Sequence, residues 1–110
     1  MNTSKFRLYR KIIREVMEGL TTSRVLTHKL TGRVGHGFPT WPTGPTYAYQ
    51  TIVKGDIWQR VMFWFFEDKA RMVVRVYDGT HAYLYERAEF HLGDPDALDE
   101  ARKFIRKHLR

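Results

Sequence analysis

Apolar residues recur with a helical period at the start of the chain. When residues 4–19 are wound at about 100° per residue, Phe6, Tyr9, Ile13, Val16, Met17 and Leu20 gather on one arc. Arg7, Arg10, Lys11 and Arg14 gather on the opposite arc. The pattern predicts an amphipathic helix with one face to bury and one cationic stripe, capped by Thr3 or Ser4 and ended by Gly19. Residues 22–31 predict a second, shorter helix, with Thr22 or Ser23 as its cap, Val25, Leu26 and Leu30 as its apolar positions and Gly32 as its stop.

From Tyr47 onward the period changes. The runs 47–53, 57–66, 71–77 and 81–90 are rich in β-branched and aromatic residues and predict strands. Lys54-Gly55-Asp56, Asp68-Lys69 and Asp78-Gly79 separate them, Asp-Gly being the strongest hairpin signal. An antiparallel meander is the simplest connection. Residues 95–109 predict a final helix, with Asp94 as cap, Pro95 in the first position and Leu98, Ala101, Ile105 and Leu109 as the buried stripe. Its acidic start and basic end match the helix dipole, so these charges need no partner to explain them. Between the two halves, Gly32, Gly35, Gly37, Pro39, Pro42, Gly44 and Pro45 leave room only for a loop, and loops of this length are often functional. The fold class is α+β: N-terminal helices, an antiparallel four-stranded meander sheet and a C-terminal helix, in one domain over 1–110.

Turn lengths assign the strand residues to faces. Across Asp78-Gly79, Val76 is expected opposite His81, Val74 opposite Tyr83 and Met72 opposite Tyr85. Phe65, Phe63 and Val61 join that face across Asp68-Lys69, and Ala48, Gln50 and Ile52 join it through the Gly55 turn. The other face collects Tyr47, Tyr49, Thr51 and Val53, then Trp58, Arg60, Met62, Trp64 and Phe66, then Arg71, Val73, Arg75 and Tyr77, and finally Ala82, Leu84 and Glu86. Rings and guanidinium groups interleave there, and Arg71 is expected to pair with Glu86. Two long helices cover one face of such a sheet. The other face is then either a surface for stacked nucleobases or a protein partner, or ordinary core beneath the second helix and the loop.

Charge sharpens this picture. The 110 residues carry 19 Lys and Arg against 12 Asp and Glu, a formal net charge of +7. Residues 1–55 hold Lys5, Arg7, Arg10, Lys11, Arg14, Arg24, Lys29, Arg33 and Lys54 against Glu15 and Glu18, whereas residues 56–110 balance. The whole surplus therefore sits in the first half, where it suits a polyanion or an acidic protein. The longest apolar run, Val61 to Phe66, is far short of a membrane span, and the basic N-terminus leads into no apolar leader segment. A cytoplasmic protein with no membrane partner is expected. The absence of cysteine excludes disulfides and thiolate chemistry.

Catalytic motifs are missing. His28, His36, His81, His91 and His108 show no HxH, HxxxH or HExxH spacing, and Ser4 and Ser23 read as helix caps. No catalytic residue, metal or cofactor is expected. The one enzymatic arrangement left open is a metal-dependent nuclease assembled from distant carboxylates with His81 or His91. Gly32-Arg33-Val34-Gly35 resembles the GXXG loop of KH domains, but Phe38-Pro39 does not open the helix that such a domain requires, and no family follows from it. The expected function is non-enzymatic binding of DNA or RNA. Arg7, Arg10, Lys11 and Arg14 would neutralise phosphates, Arg24, Lys29 and Arg33 would extend the track, and Trp58, Arg60, Trp64, Arg75 and Tyr77 would form a stacking or interface surface. The alternative is a small protein-interaction module: a homodimer, or an inhibitor or adaptor of phage or plasmid type that docks on an acidic protein.

Overall fold

The computed structural model describes residues 3–20, 24–30, 46–54, 57–66, 70–79 and 85–109. In chain order the elements are α1 (Thr3–Met17), β1 (Arg24–Leu30), β2 (Thr46–Lys54), β3 (Trp58–Phe66), β4 (Arg71–Asp78), β5 (Tyr85–His91) and α2 (Ala97–His108). The α+β class stands, with a helix at each end and an antiparallel meander between them. The sheet has five strands in sequential order, each pair antiparallel.

The additional strand replaces the second N-terminal helix. A seven-residue segment is too short to sustain a helix by its own hydrogen bonds. Only Val25 and Thr27 of Arg24–Leu30 favour extended backbone, so its pairing decides the outcome: it pairs along its whole length with β2, from Arg24 opposite Lys54 to Leu30 opposite Ala48. The expected loop 32–46 falls outside the described residues except for Thr46, which opens β2.

α1 forms where its periodicity placed it. Tyr9, Ile12, Ile13, Val16 and Met17 are buried, while Arg7, Arg10, Lys11 and Arg14 are exposed. Gly19 follows the helix at φ +69, a left-handed conformation that glycine adopts without steric cost. α2 begins two residues later than expected: Asp96 is its N-cap, without a side-chain capping bond, and Asp94 contributes only its carbonyl, which accepts from the Ala97 amide at 3.2 Å. Ala97, Ala101 and Ile105 are its buried positions.

Both helices cover one face of the sheet. Tyr9 stacks on Phe65 with ring centroids 4.2 Å apart and planes 15° from parallel, and Tyr49 meets the same ring edge-on at 5.7 Å. Val61, Phe63, Met72, Val74, Val76 and Ile105 complete this core. Gln59 is buried at the start of β3 and donates through Nε2 to the His108 carbonyl at 2.9 Å, satisfying an acceptor that the end of α2 leaves open.

The register of β3 with β4 is the one expected from Asp68-Lys69, with Val61 opposite Val76, Phe63 opposite Val74 and Phe65 opposite Met72. Two other assignments are corrected. Lys54 pairs with Trp58, leaving three residues between the partners, and this odd spacing brings Tyr49, Thr51 and Val53, not Gln50 and Ile52, to the helix-covered core. On the other side of the sheet, Met72 pairs with Phe90, not Tyr85, because seven residues separate the partners Tyr77 and Tyr85 where a two-residue turn was expected. Slips of odd length exchange faces. Tyr85, Arg87 and Glu89 thus move to the face opposite the helices, and Arg71 stands across from His91, not Glu86.

Phe65→Ala is expected to lower stability by about 3–5 kcal/mol, because it empties the contact shared by Tyr9 and Tyr49. Leu8→Ala, on the exposed side of α1, is expected to change stability by less than about 0.5 kcal/mol. Gly19→Ala is expected to cost about 1 kcal/mol through its positive φ and a new Cβ 3.1 Å from Arg102 Nη2. Urea unfolding of the three variants checks this ranking.

Candidate functional site

Two cationic surfaces emerge, built by different means. The first is the solvent face of α1. Arg7, Lys11 and Arg14 lie three and four residues apart, the spacing that aligns side chains on one helix face, and Arg10 flanks them. None of Arg7, Lys11 and Arg14 enters an ion pair among the described residues. Glu15 and Glu18 border the C-terminal end of the stripe, where with Arg10, Lys11 and Arg14 they line a shallow groove. The first turn of α1 contains no acidic residue, Arg14 lies in the last turn, where the helix dipole favours a cation, and Arg7, Arg10 and Lys11 lie between the two ends. α2, by contrast, has Asp99 and Glu100 in its first turn and Arg106, Lys107 and His108 in its last. Its Lys103 is also within 3.8 Å of Asp99 and 3.6 Å of Glu100.

The expected extension of the stripe is not a single track. Arg24 and Lys29 belong to β1, not to a helix, and stand five residues apart, at register positions of opposite parity. Arg33 lies outside the described residues, as do His36 and the GXXG segment.

The second surface is the sheet face turned away from the helices. The interleaving of rings and guanidinium groups expected there is present. The Arg75 guanidinium carbon lies 4.9 Å from the Trp64 ring centroid and 4.5 Å from that of Tyr85, and Arg75 Nη1 donates to the Tyr77 hydroxyl at 3.3 Å. Arg60 covers the Tyr77 ring at 4.6 Å and Arg71 covers Phe66 at 4.2 Å. Tyr77 and Tyr85 meet across the strands at 5.0 Å. Met62, Trp64, Phe66, Val73 and Tyr77 form a second buried cluster beneath these cations.

This burial changes the role of the expected site residues. Trp64, Arg75 and Tyr77 are only 2%, 5% and 6% exposed, so their rings and charge do not form an open stacking platform. Arg60 is half-buried, and Trp58, at 53% exposure, is the accessible one of the five. Reasoning from sequence missed Arg87 and Glu89. The signal was present in β5 itself, where Ala88 and Phe90 are apolar while Arg87 and Glu89, on the alternate positions, are charged. Glu89 is shared between Arg71, at 3.6 Å, and Arg87, whose Nη2 donates to it.

The nuclease arrangement finds no support in the geometry of its described members. His91 Nδ1 accepts a hydrogen bond from the Gly93 amide at 3.1 Å in the turn after β5, and among the described residues no three His, Asp or Glu side chains converge as a metal site would require. His81 lies outside the described residues. No helix among the described residues is long and apolar enough to cross a membrane. Comparison with known proteins finds no match to a family model, a curated protein or a solved structure.

Among the described side chains of the strands, the outer face thus sets Arg60, Arg71, Arg75 and Arg87 against the single carboxylate of Glu89. Cation–π contacts contribute about 2 kcal/mol when desolvated, whereas dehydrating a buried ion costs several kcal/mol. The two contacts that Arg75 makes, with Trp64 and Tyr85, therefore offset part of the cost of its burial. Glu89→Gln is expected to destabilise the protein by about 1 kcal/mol at low ionic strength, more than one exposed pair typically contributes at the median, because it leaves like charges adjacent on one face. The loss should shrink in high salt, measurable by urea unfolding at two salt concentrations.

Proposed function

We propose that this chain is a non-enzymatic binder of nucleic acid that docks the α1 face on the phosphate backbone. The observation carrying this reading is the exposed stripe of Arg7, Arg10, Lys11 and Arg14. The helix dipole favours Arg14, in the last turn, and does not account for Arg7, Arg10 and Lys11. The apolar face of the same helix is sealed into the core, so the stripe is presented from a rigid support. Four cations on one face release condensed counterions when they meet phosphates, which gives a favourable, salt-dependent affinity without base recognition. DNA and RNA both satisfy that chemistry.

Replacing Arg7, Lys11 and Arg14 together by alanine is expected to weaken binding to duplex DNA. The slope of log K against log salt should fall by about 0.9 for each phosphate that is no longer neutralised, and by about 0.7 each on a single strand. Fluorescence anisotropy across a potassium chloride series measures both quantities. Absence of binding at low salt, or an unchanged slope in the triple variant, would refute the reading.

A further inference from the structure

The Arg75 guanidinium is more than nine-tenths buried, yet among the described residues no carboxylate lies within ion-pair distance of it. Of its five N–H donors, one is directed to the Tyr77 hydroxyl, and Nε is buried without a hydrogen-bond partner. The rest of the outer face compounds the deficit. Arg87 stands directly across from Arg75 in the β4–β5 register, a like-charge pairing that sheets disfavour. The one carboxylate among these strand residues, Glu89, is already engaged by Arg71 and Arg87. Arg60 converges on the same ring from the neighbouring strand, its guanidinium over Tyr77, and its Nε is also buried and unbonded. Two adjacent arginines thus share Tyr77, and neither has an acidic partner among the described residues.

Buried polar groups in native proteins are almost always satisfied, and an unsatisfied donor points to an ion or water bound there. A planar guanidinium whose Nε–H is buried and unbonded presents a donor edge that matches an oxyanion, and the two flanking rings hold its plane in place. We propose that Arg75, with Arg60 beside it, is the seat of a small oxyanion of the phosphate, sulfate or carboxylate class on the sheet face away from the helices. The seat is one strand in from the β5 edge, next to Arg87, whose side chain is 40% exposed and gives the anion an electrostatic approach. This site is independent of the α1 stripe, which lies on the other side of the sheet.

The test titrates the intact chain with inorganic phosphate and separately with acetate, at constant ionic strength set by chloride. The readouts are the Arg75 Nε–H resonance and the thermal midpoint. In the wild type, one or both anions are expected to shift the resonance and raise the midpoint by several degrees, and the more effective anion names the class. Arg75→Met keeps most of the apolar stem. It should lose the rise in midpoint, and without added anion it should melt no lower than the wild type, because a buried charge with no acidic partner among the described residues is gone. The triple alanine variant at Arg7, Lys11 and Arg14 should keep the wild-type response. The proposal is overturned if neither anion moves the wild-type resonance or midpoint up to about 100 mM, two decades above a millimolar site. It is also overturned if Arg75→Met responds like the wild type, or if the response disappears in the α1 variant. If Arg75→Met does not fold, the wild-type resonance titration decides alone.

Discussion

Strand β3 is buried on both of its faces, and this constraint organises the rest of the molecule. Val61 through Phe66 are all at most 5% exposed. Such a strand needs two different coverings, because its alternate side chains point in opposite directions. Val61, Phe63 and Phe65 receive the conventional one, a layer of two amphipathic helices anchored by the stack of Tyr9 on Phe65. Met62, Trp64 and Phe66 lie on the other face, where the guanidinium groups of Arg71 and Arg75 lie over the rings of Phe66 and Trp64. Arginine suits this duty because its long stem covers apolar surface and its weakly hydrated plane tolerates contact with an aromatic face.

That second covering has an electrostatic consequence. Rings with flat cations above them gather positive charge on one face of the sheet, and among the described strand residues Glu89 is the one acid that shares it. Glu86 is opposite Val76, on the other face, and Asp99 and Glu100 complement the start of α2. A stretch that is neutral in sequence therefore becomes polarised in space. The α1 stripe is a separate matter: it is basic by composition and exposed by amphipathicity, and the helix dipole favours Arg14 alone of its four cations. The molecule presents positive charge on opposite sides, one set on open α1 and one held among rings.

The elements whose geometry is local were legible in the sequence. α1 and α2 followed from a helical period sustained over several turns, and the pairing of β3 with β4 followed from a short turn flanked by long apolar runs. The interleaving of Arg60, Arg71 and Arg75 with aromatic rings followed from alternation alone. The failures share one cause. Residues 22–31 resembled a helix because so short a segment carries too little periodicity to separate the two states, and a waiting partner strand decided between them. The faces of β2 and the partners of β5 were exchanged because each depended on the parity of a connection, and one residue more or fewer moves every side chain to the other side. Glu89 and Arg87 were hidden from the site for that reason.

By itself the sequence determined the class of the fold, the helix at each end, the cationic stripe of α1 and the mixture of rings and arginines on one side of the central strands. These depend on periodicities within single segments, which the chain carries wherever it goes. Only the tertiary structure decided that Trp64, Arg75 and Tyr77 are enclosed, that Tyr49 and Val53 belong to the helix-covered core, and that among the described strand side chains four arginines share a face with one glutamate. Those outcomes depend on register and on what packs over each face, and both are set by contacts between segments far apart in the chain.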